Sequence, residues 1–254
     1  MSETPETKFD VVLVDGDILL YGVCSACEYS ARFDDDLDVV FCNTAEAQGM
    51  IDATLSSYKE KFQTEKLIIA FSGSGNFRKT IYPEYKAHRK KVRKPCGYKQ
   101  LKEDMGSKHH TWMEPNIEAD DVLGILQGCC AQLGKKSVIV SSDKDFNTIE
   151  GWRYNPDKAE LVHTDAKSAD MNWLMQTLTG DKTDGYPGLE GVGPVGAQKI
   201  VTQGIWEEVV SAYRDKGHNE EFAVTMARCA RILRFNEYDF DKKEVRLWLP
   251  PVSI

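Results

Sequence analysis

No stretch of this 254-residue sequence is apolar over the length of a bilayer span, so none of it reads as a membrane helix. The opening MSETPETKFD is acidic and polar and lacks the features of a signal peptide. There is no cysteine framework. Seven is an odd number, and the one CxxC, Cys24 and Cys27, has no second pair to complete a zinc site. Reduced thiols in a cytoplasm are the expectation. The histidines (His88, His109, His110, His163 and His218) show no metal spacing among themselves. Internal repeats and low-complexity runs are absent. An excess of positive charge is lacking too: the formal net charge is −8, which argues against nucleic-acid binding by the whole surface. With 41% apolar and 28% charged residues, the chain has the composition of a soluble protein. Its length suits one large domain or one domain with an appendage.

What is present is acid, placed in clusters. Ile117–Ile149 opens with Glu118, Asp120 and Asp121 and closes with Asp143 and Asp145. A helix and a short buried strand, Ser137–Ser141, are expected between them. Helical spacing predicts Glu118 and Asp121 on one face. Phe9–Val14 reads as a first strand running into Asp15-Gly16-Asp17, and Leu67–Phe71 as another. Carboxylates at the C-terminal ends of buried strands lie where open α/β sheets assemble their sites. Crowded together they must take up protons or share a cation. Oxygen-only ligands favour Mg²⁺ or Mn²⁺. Asp181 and Asp184 could reach the same place, giving two ions roughly 4 Å apart. Taken singly, each acidic cluster could equally be a helix cap or a turn.

Positive charge is concentrated in one segment. Between residues 78 and 108 stand eleven Lys and Arg, including Arg78, Lys79, Lys86, Arg89, Lys90 and Lys91, against three acids. That net +8 leaves about −16 on the rest of the chain. Phe77, Tyr82, Tyr85 and Tyr98 are interleaved, as suits phosphates and stacked bases of a single or frayed strand. Further on, helices are expected at Ile18–Cys27, Thr44–Phe62 (capped by Thr44), Thr164–Leu178, Ile205–Tyr213 and Phe222–Phe235. A loop or hairpin is expected at Arg32–Asp38, and short strands at Thr111–Glu114 and Trp152–Tyr154. Gly191-Val192-Gly193-Pro194-Val195-Gly196 has the GxGxxG spacing but no buried strand before it, so a dinucleotide site is rejected. A turn between two helices, with a helix beginning at Ala197 that offers N–H groups to phosphate, fits better. The apolar tail VRLWLP is expected to pack back onto the body.

Taken together, LVDGD, FRKTIYPEYKAHRK, EADD, SSDKDF and GDKTDGYPGLEGVG resemble, in order, the motifs of the 5′-nuclease (flap endonuclease) superfamily. YKAHRKKVRKPCGY, SSDKDFNTI, GDKTDGYPG and ARILRFNEYDFDKKEVRLW also resemble the 5′–3′ exonucleases of short-tailed coliphages. The resemblance implies a PIN-like, mostly parallel sheet flanked by helices over residues 1–167, with a basic helical arch near 76–110. It implies a helix–three-turn–helix unit over 168–254. It further implies a monomeric, Mg²⁺- or Mn²⁺-dependent 5′–3′ exonuclease and flap endonuclease of a phage, at work in the host cytoplasm. Its substrates would be 5′ ends or flaps of duplex DNA and RNA–DNA hybrids during replication and recombination.

Residue by residue, the resemblance assigns one ion to Asp15, Glu118, Asp120 and Asp143, and a second to Asp121, Asp145, Asp181 and Asp184. Lys86 and Arg89 become the cations on the scissile phosphate. Arg78, Lys79, Lys90 and Lys91 become strand contacts, with Tyr85 stacked on the terminal base. Gly191, Gly193 and Gly196 would grip duplex backbone, with K⁺ at the turn. Two positions depart from the pattern. Ser72-Gly73 follows the strand at Ala70-Phe71 where an Asp is usual, leaving Asp17 or a water to fill that place. Val195 and Gly196 replace the customary Lys and Thr. Two rival readings keep the same acids: a PIN-type ribonuclease on single-stranded RNA, and a flap-binding protein whose metal site has decayed.

Overall fold

The computed structural model describes residues 8–251, apart from the side chains of Lys90 and Lys91. The first apolar run forms β1 (Val11–Asp15), every residue of it buried. Period-two alternation then divides the interior: Val12 and Val14 face one apolar layer, Val11 and Leu13 the other. Asp15 caps α1 (Gly16–Ala26), its Oδ1 accepting from the Ile18 N–H at 3.1 Å. A Cβ on Gly16 would stand 2.6 Å from Ile69 Cγ2 and 2.7 Å from Ala70 O, so only glycine lets α1 leave the strand this close to its neighbour.

The acidic stretch around Arg32–Asp38 is a hairpin, β2 (Glu28–Asp34) with β3 (Leu37–Cys42), standing apart from the main sheet. Next, α2 (Thr44–Lys61) starts where expected, but Asn43 rather than Thr44 is its cap. Chain order continues with β4 (Leu67–Ala70), α3 (Arg78–Ile81), a 3₁₀ turn at Ala87–Lys91 and α4 (Tyr98–Lys108). The basic segment is thus three short pieces joined by Pro83 and Pro95, not one long helix.

Then come β5 (Thr111–Trp112), α5 (Ala119–Gln132), β6 (Ser137–Val140), a second 3₁₀ turn at Lys144–Thr148, β7 (Gly151–Asn155) and β8 (Glu160–Thr164). The six-stranded sheet has the order β5-β4-β1-β6-β7-β8. All neighbours run parallel except β7 and β8. The central parallel sheet flanked by helices agrees with the sequence reading. β8 is a strand that reading left out.

The remaining helices are α6 (Ala166–Thr179), α7 (Pro194–Ile200), α8 (Trp206–Asp215) and α9 (Glu220–Ala230), followed by the small pair β9 (Tyr238–Asp239) and β10 (Glu244–Val245). Trp173, Leu178, Val209, Tyr213 and Ala227 form their shared interior, which Tyr85 also enters from the basic segment. The tail does fold back: the Trp248 ring lies edge-on to those of Trp173 and Trp206 at 4.8 and 4.9 Å. α7 begins at Pro194, three residues before the expected Ala197. α9 stops at Ala230, short of the expected Phe235, because the next residues are held extended: Leu233 N–H donates to Asp121 Oδ1 at 3.0 Å.

Candidate functional site

The acids gather at the C-terminal edge of β1 and β6 and at the start of α5. Asp15 is buried there; its Oδ2 accepts from Ser141 Oγ at 2.9 Å, which ties the end of β1 to the residue after β6. Burial, then Asp17 and Asp143, push its carboxyl up to about 7 despite the Ile18 and Ser141 hydrogen bonds. Asp120, in the first turn of α5, is raised well above the ordinary range by burial, Asp15 and Glu118. Asp143 caps the turn after β6 by accepting from the Asp145 N–H at 2.8 Å. Burial, Asp143 and Asp181 push Asp145 up to about 7. Asp181 Oδ1 accepts from the N–H groups of Thr183 and Asp184 at 2.6 and 3.1 Å, folding the turn that presents Asp184.

Cations of the basic segment reach into this cluster. Lys86 Nζ lies 2.7 Å from Glu118 Oε1 and 3.4 Å from Asp184 Oδ1. Arg89 Nη2 donates to the same Asp184 oxygen at 3.0 Å. Tyr85 Oη stands 2.7 Å from Asp184 Oδ2 and 3.0 Å from Glu118 Oε2. Burial would raise Glu118, but Lys86 and Arg78 beside it and the Tyr85 hydroxyl hold it down to about 2. The Lys86 backbone is left-handed at φ 52°, a strain of about 1 kcal/mol for a residue with a side chain, and its N–H donates to Asp184 O at 2.6 Å.

Four expectations are corrected. Asp121 is not at the cation site: it is 0% exposed and paired with Arg78, Nη1–Oδ2 at 2.8 Å and Nη2–Oδ1 at 2.7 Å. Glu118 is the cap of α5, outside the helix, while Asp121 turns back to accept from the Glu118 N–H at 3.0 Å, so the two do not share a face. Arg78 is accordingly no strand contact; only 2% exposed, it donates also to the carbonyls of Cys229 and Arg231. Tyr85 is not free to stack on a base: it is buried in the helical interior with its hydroxyl on the acids.

Of the other expected contacts, Lys79 is exposed, and the side chains of Lys90 and Lys91 lie outside the described residues. Gly191 and Gly193 are exposed in the turn before α7 and Gly196 is in its first turn. At Ser72 the acid is replaced by wiring. Ser72 N–H donates to Asp17 Oδ2 at 2.9 Å, its Oγ accepts from the Ala119 N–H at 3.0 Å, and Tyr98 Oη donates to Asp17 Oδ1 at 2.6 Å. Gly73 has no room for a carboxylate, since a Cβ there would collide with the Glu114 carbonyl. The sequence reading sets Asp17 beside Ser72, but its tie to Tyr98 leaves no trace there.

The donor set is all carboxylate oxygen, suited to a hard ion. Among the described residues no three His, Cys, Asp or Glu side chains stand at ligand spacing, and Glu118 and Asp184 are taken up by Lys86, Arg89 and Tyr85. The raised Asp15 and Asp145 are acids that a bound cation would keep ionised.

The likenesses to known proteins point the same way. A family model for the 5′-3′ exonuclease N-terminal resolvase-like domain matches residues 10–151. An exonuclease of Escherichia phage T7 is 30% identical, with 94% of this chain and 93% of that protein covered. A flap endonuclease Xni of Shewanella is 31% identical over half of this chain and 53% of its own length. In fold, a bacteriophage T5 flap endonuclease solved as a pseudo-enzyme–product complex with DNA and metal ions gives a TM-score of 0.66 at 16% identity, covering 86% of this chain and 87% of that one. A T5 5′-exonuclease with zinc bound gives 0.61 at 16%, covering 87% and 93%. With its acids and basic segment set at the strand ends, the chain belongs to the 5′–3′ exonuclease family.

Proposed function

We propose that the chain hydrolyses phosphodiesters at the 5′ ends and flaps of duplex DNA and of RNA–DNA hybrids, with Mg²⁺ or Mn²⁺, as a monomer serving phage replication and recombination in the host cytoplasm. The observation that carries this reading is Lys86, a phosphate-seeking cation lodged between Glu118 and Asp184 beside a set of acids too negative to stay ionised together. Asp15, Glu118, Asp120 and Asp143 would hold one ion, and Asp145, Asp181 and Asp184 a second. Bound there, a divalent ion lowers the pKa of water and neutralises charge on the phosphate. Lys86 and Arg89 orient the scissile phosphate and take up the charge that develops on it. Lys79, Lys90 and Lys91 guide the frayed strand. Gly191, Gly193 and Gly196 would let the turn before α7 come close to duplex backbone, where a K⁺ ion would help to hold it.

Cleavage of a 5′-flap duplex labelled at its end is the direct test, run with Mg²⁺, with EDTA and on Asp145→Ala. Loss of product in the last two is expected; undiminished cleavage in either refutes the metal mechanism. A flap bound with steep salt dependence yet left uncut in Mg²⁺ would identify a binding protein instead.

A further inference from the structure

Ser72 lies just past the end of β4, and three helices meet on it. Its N–H donates to Asp17 Oδ2 at 2.9 Å, its Oγ accepts from the Ala119 N–H at 3.0 Å, and its carbonyl accepts from Lys102 Nζ at 3.0 Å. Asp17 belongs to the first turn of α1, and its other oxygen, Oδ1, accepts from Tyr98 Oη at 2.6 Å. Tyr98 opens α4 with its ring buried, so its hydroxyl needs a partner close at hand, and Asp17 is that partner. Ala119 stands between Glu118 and Asp120, and its N–H is one of the donors that a helix start leaves without an intrahelical acceptor. Ser72 Oγ supplies the acceptor. An aspartate at 72 could accept from the same N–H, but it would set a second negative charge against Asp17. Serine makes the bond without that charge. The start of α5 is thus held from both ends of the basic segment. Lys86 grips Glu118 at 2.7 Å from one end, while Tyr98 and Lys102 reach Ala119 from the other through Asp17 and Ser72.

We propose that Asp17 and Tyr98 are positioning residues, a role that rests on the nuclease reading above for its catalytic consequence. Through Ser72 they fix the first turn of α5, and with it the directions of Glu118 and Asp120, relative to the α4 end of the basic segment. Asp17 then does not stand in for the missing acid as a ligand: both of its oxygens serve protein donors, and what the fold uses is its pair of polar contacts. One hydrogen-bonded chain sets the acids and the strand-binding segment together.

Asp17→Asn keeps the link, since the amide oxygen can accept from the Ser72 N–H while the amide N–H donates to Tyr98 Oη, a hydroxyl able to turn and accept. Asp17→Ala breaks it at both bonds and Tyr98→Phe at one. Two measurements on the full chain read the link: hydrogen exchange of the Ala119 amide, followed by nuclear magnetic resonance without metal, and kcat and KM on the 5′-flap duplex with Mg²⁺. Asp17→Ala and Tyr98→Phe are expected to lose about 10-fold or more of the protection at Ala119. They are also expected to lower kcat about 10- to 100-fold, as misplaced groups do, with KM within about a factor of two. Asp17→Asn is expected to restore both. An asparagine variant as impaired as the alanine one overturns the proposal, by showing that the charge of Asp17 is what counts. So does wild-type protection at Ala119 in Asp17→Ala or, should that variant not fold, in Tyr98→Phe. Lost protection with kcat unchanged would make the link structural only, which overturns it too. A wild-type chain that leaves the flap uncut refutes the nuclease reading, while exchange at Ala119 still decides whether the link holds α5.

Discussion

Lys86 is the side chain on which the site turns. It reaches Glu118 and Asp184 only because its backbone is left-handed and its neighbour Tyr85 is locked in the interior. Replacing it by alanine is expected to lower the cleavage rate about 10²–10³-fold, the usual effect of losing one preorganised donor, with the circular dichroism spectrum unchanged; a rate within a factor of two would remove Lys86 from the chemistry. The acids that matter could be read from the sequence as clusters, because strand ends and helix starts announce themselves locally. Asp121 could not. Its role is decided by Arg78, 43 positions away, and by cap geometry that turns Glu118 out of the helix. Tyr85 escaped for the same reason: a tyrosine among lysines looks like a stacking platform until its partners, Asp184 and Tyr186, are in view.

Among elements, α8 shows how one carboxylate can start a helix. Glu208 accepts from the N–H groups of Thr202, Gln203, Gly204 and Ile205 and from the Thr202 hydroxyl, satisfying five donors ahead of the first turn. Burial works against its charge, but the Thr202 hydroxyl and these N–H groups hold it down to about 2, against about 4.3 in an unfolded chain. Its contribution is therefore complete above about pH 4.3 and fades as the pH falls towards 2. Glu208→Ala is expected to cost about 1 kcal/mol at neutral pH, like the loss of a good cap, and the gap from wild type should narrow in urea titrations taken down that pH range. A constant gap would deny the linkage. Strands β1, β4 and β6 and helices α2, α5 and α6 were legible because each is an apolar run or stripe with a marked start. By contrast, β8 has only Leu161 and Val162 between polar neighbours and exists by pairing with β7. The end of α9 was hidden because the extended residues after Ala230 are apolar enough to continue a helix.

Across the whole molecule, Arg78 is a stitch. From α3 it binds Asp121 in α5, Cys229 in α9 and Arg231 just after it, so one guanidinium joins the sheet layer to the helical part. Arg78→Ala strands Asp121 without its partner and is expected to cost about 3–5 kcal/mol. Fluorescence of Trp173, Trp206 and Trp248 and far-ultraviolet dichroism should then report separate unfolding midpoints in urea. A small loss with coincident midpoints would show the pair to be dispensable. This join is why the expected division near residue 167 is not a seam: Arg78 and Tyr85, both from the first part, complete the packing of the second. The salt bridge from Lys86 to Glu118 carries one more consequence, for how the two ligands sense each other. The ammonium that a phosphate would recruit is the one now serving as counter-ion to a carboxylate that a metal would recruit. If both bind as proposed, nucleic acid and metal are expected to promote each other's binding, and thermodynamics requires the enhancement to be the same factor read from either side. Mn²⁺ titrations with and without an uncleavable flap oligonucleotide, set beside oligonucleotide titrations with and without Mn²⁺, should return matching ratios above one, and Lys86→Ala should bring both ratios towards unity.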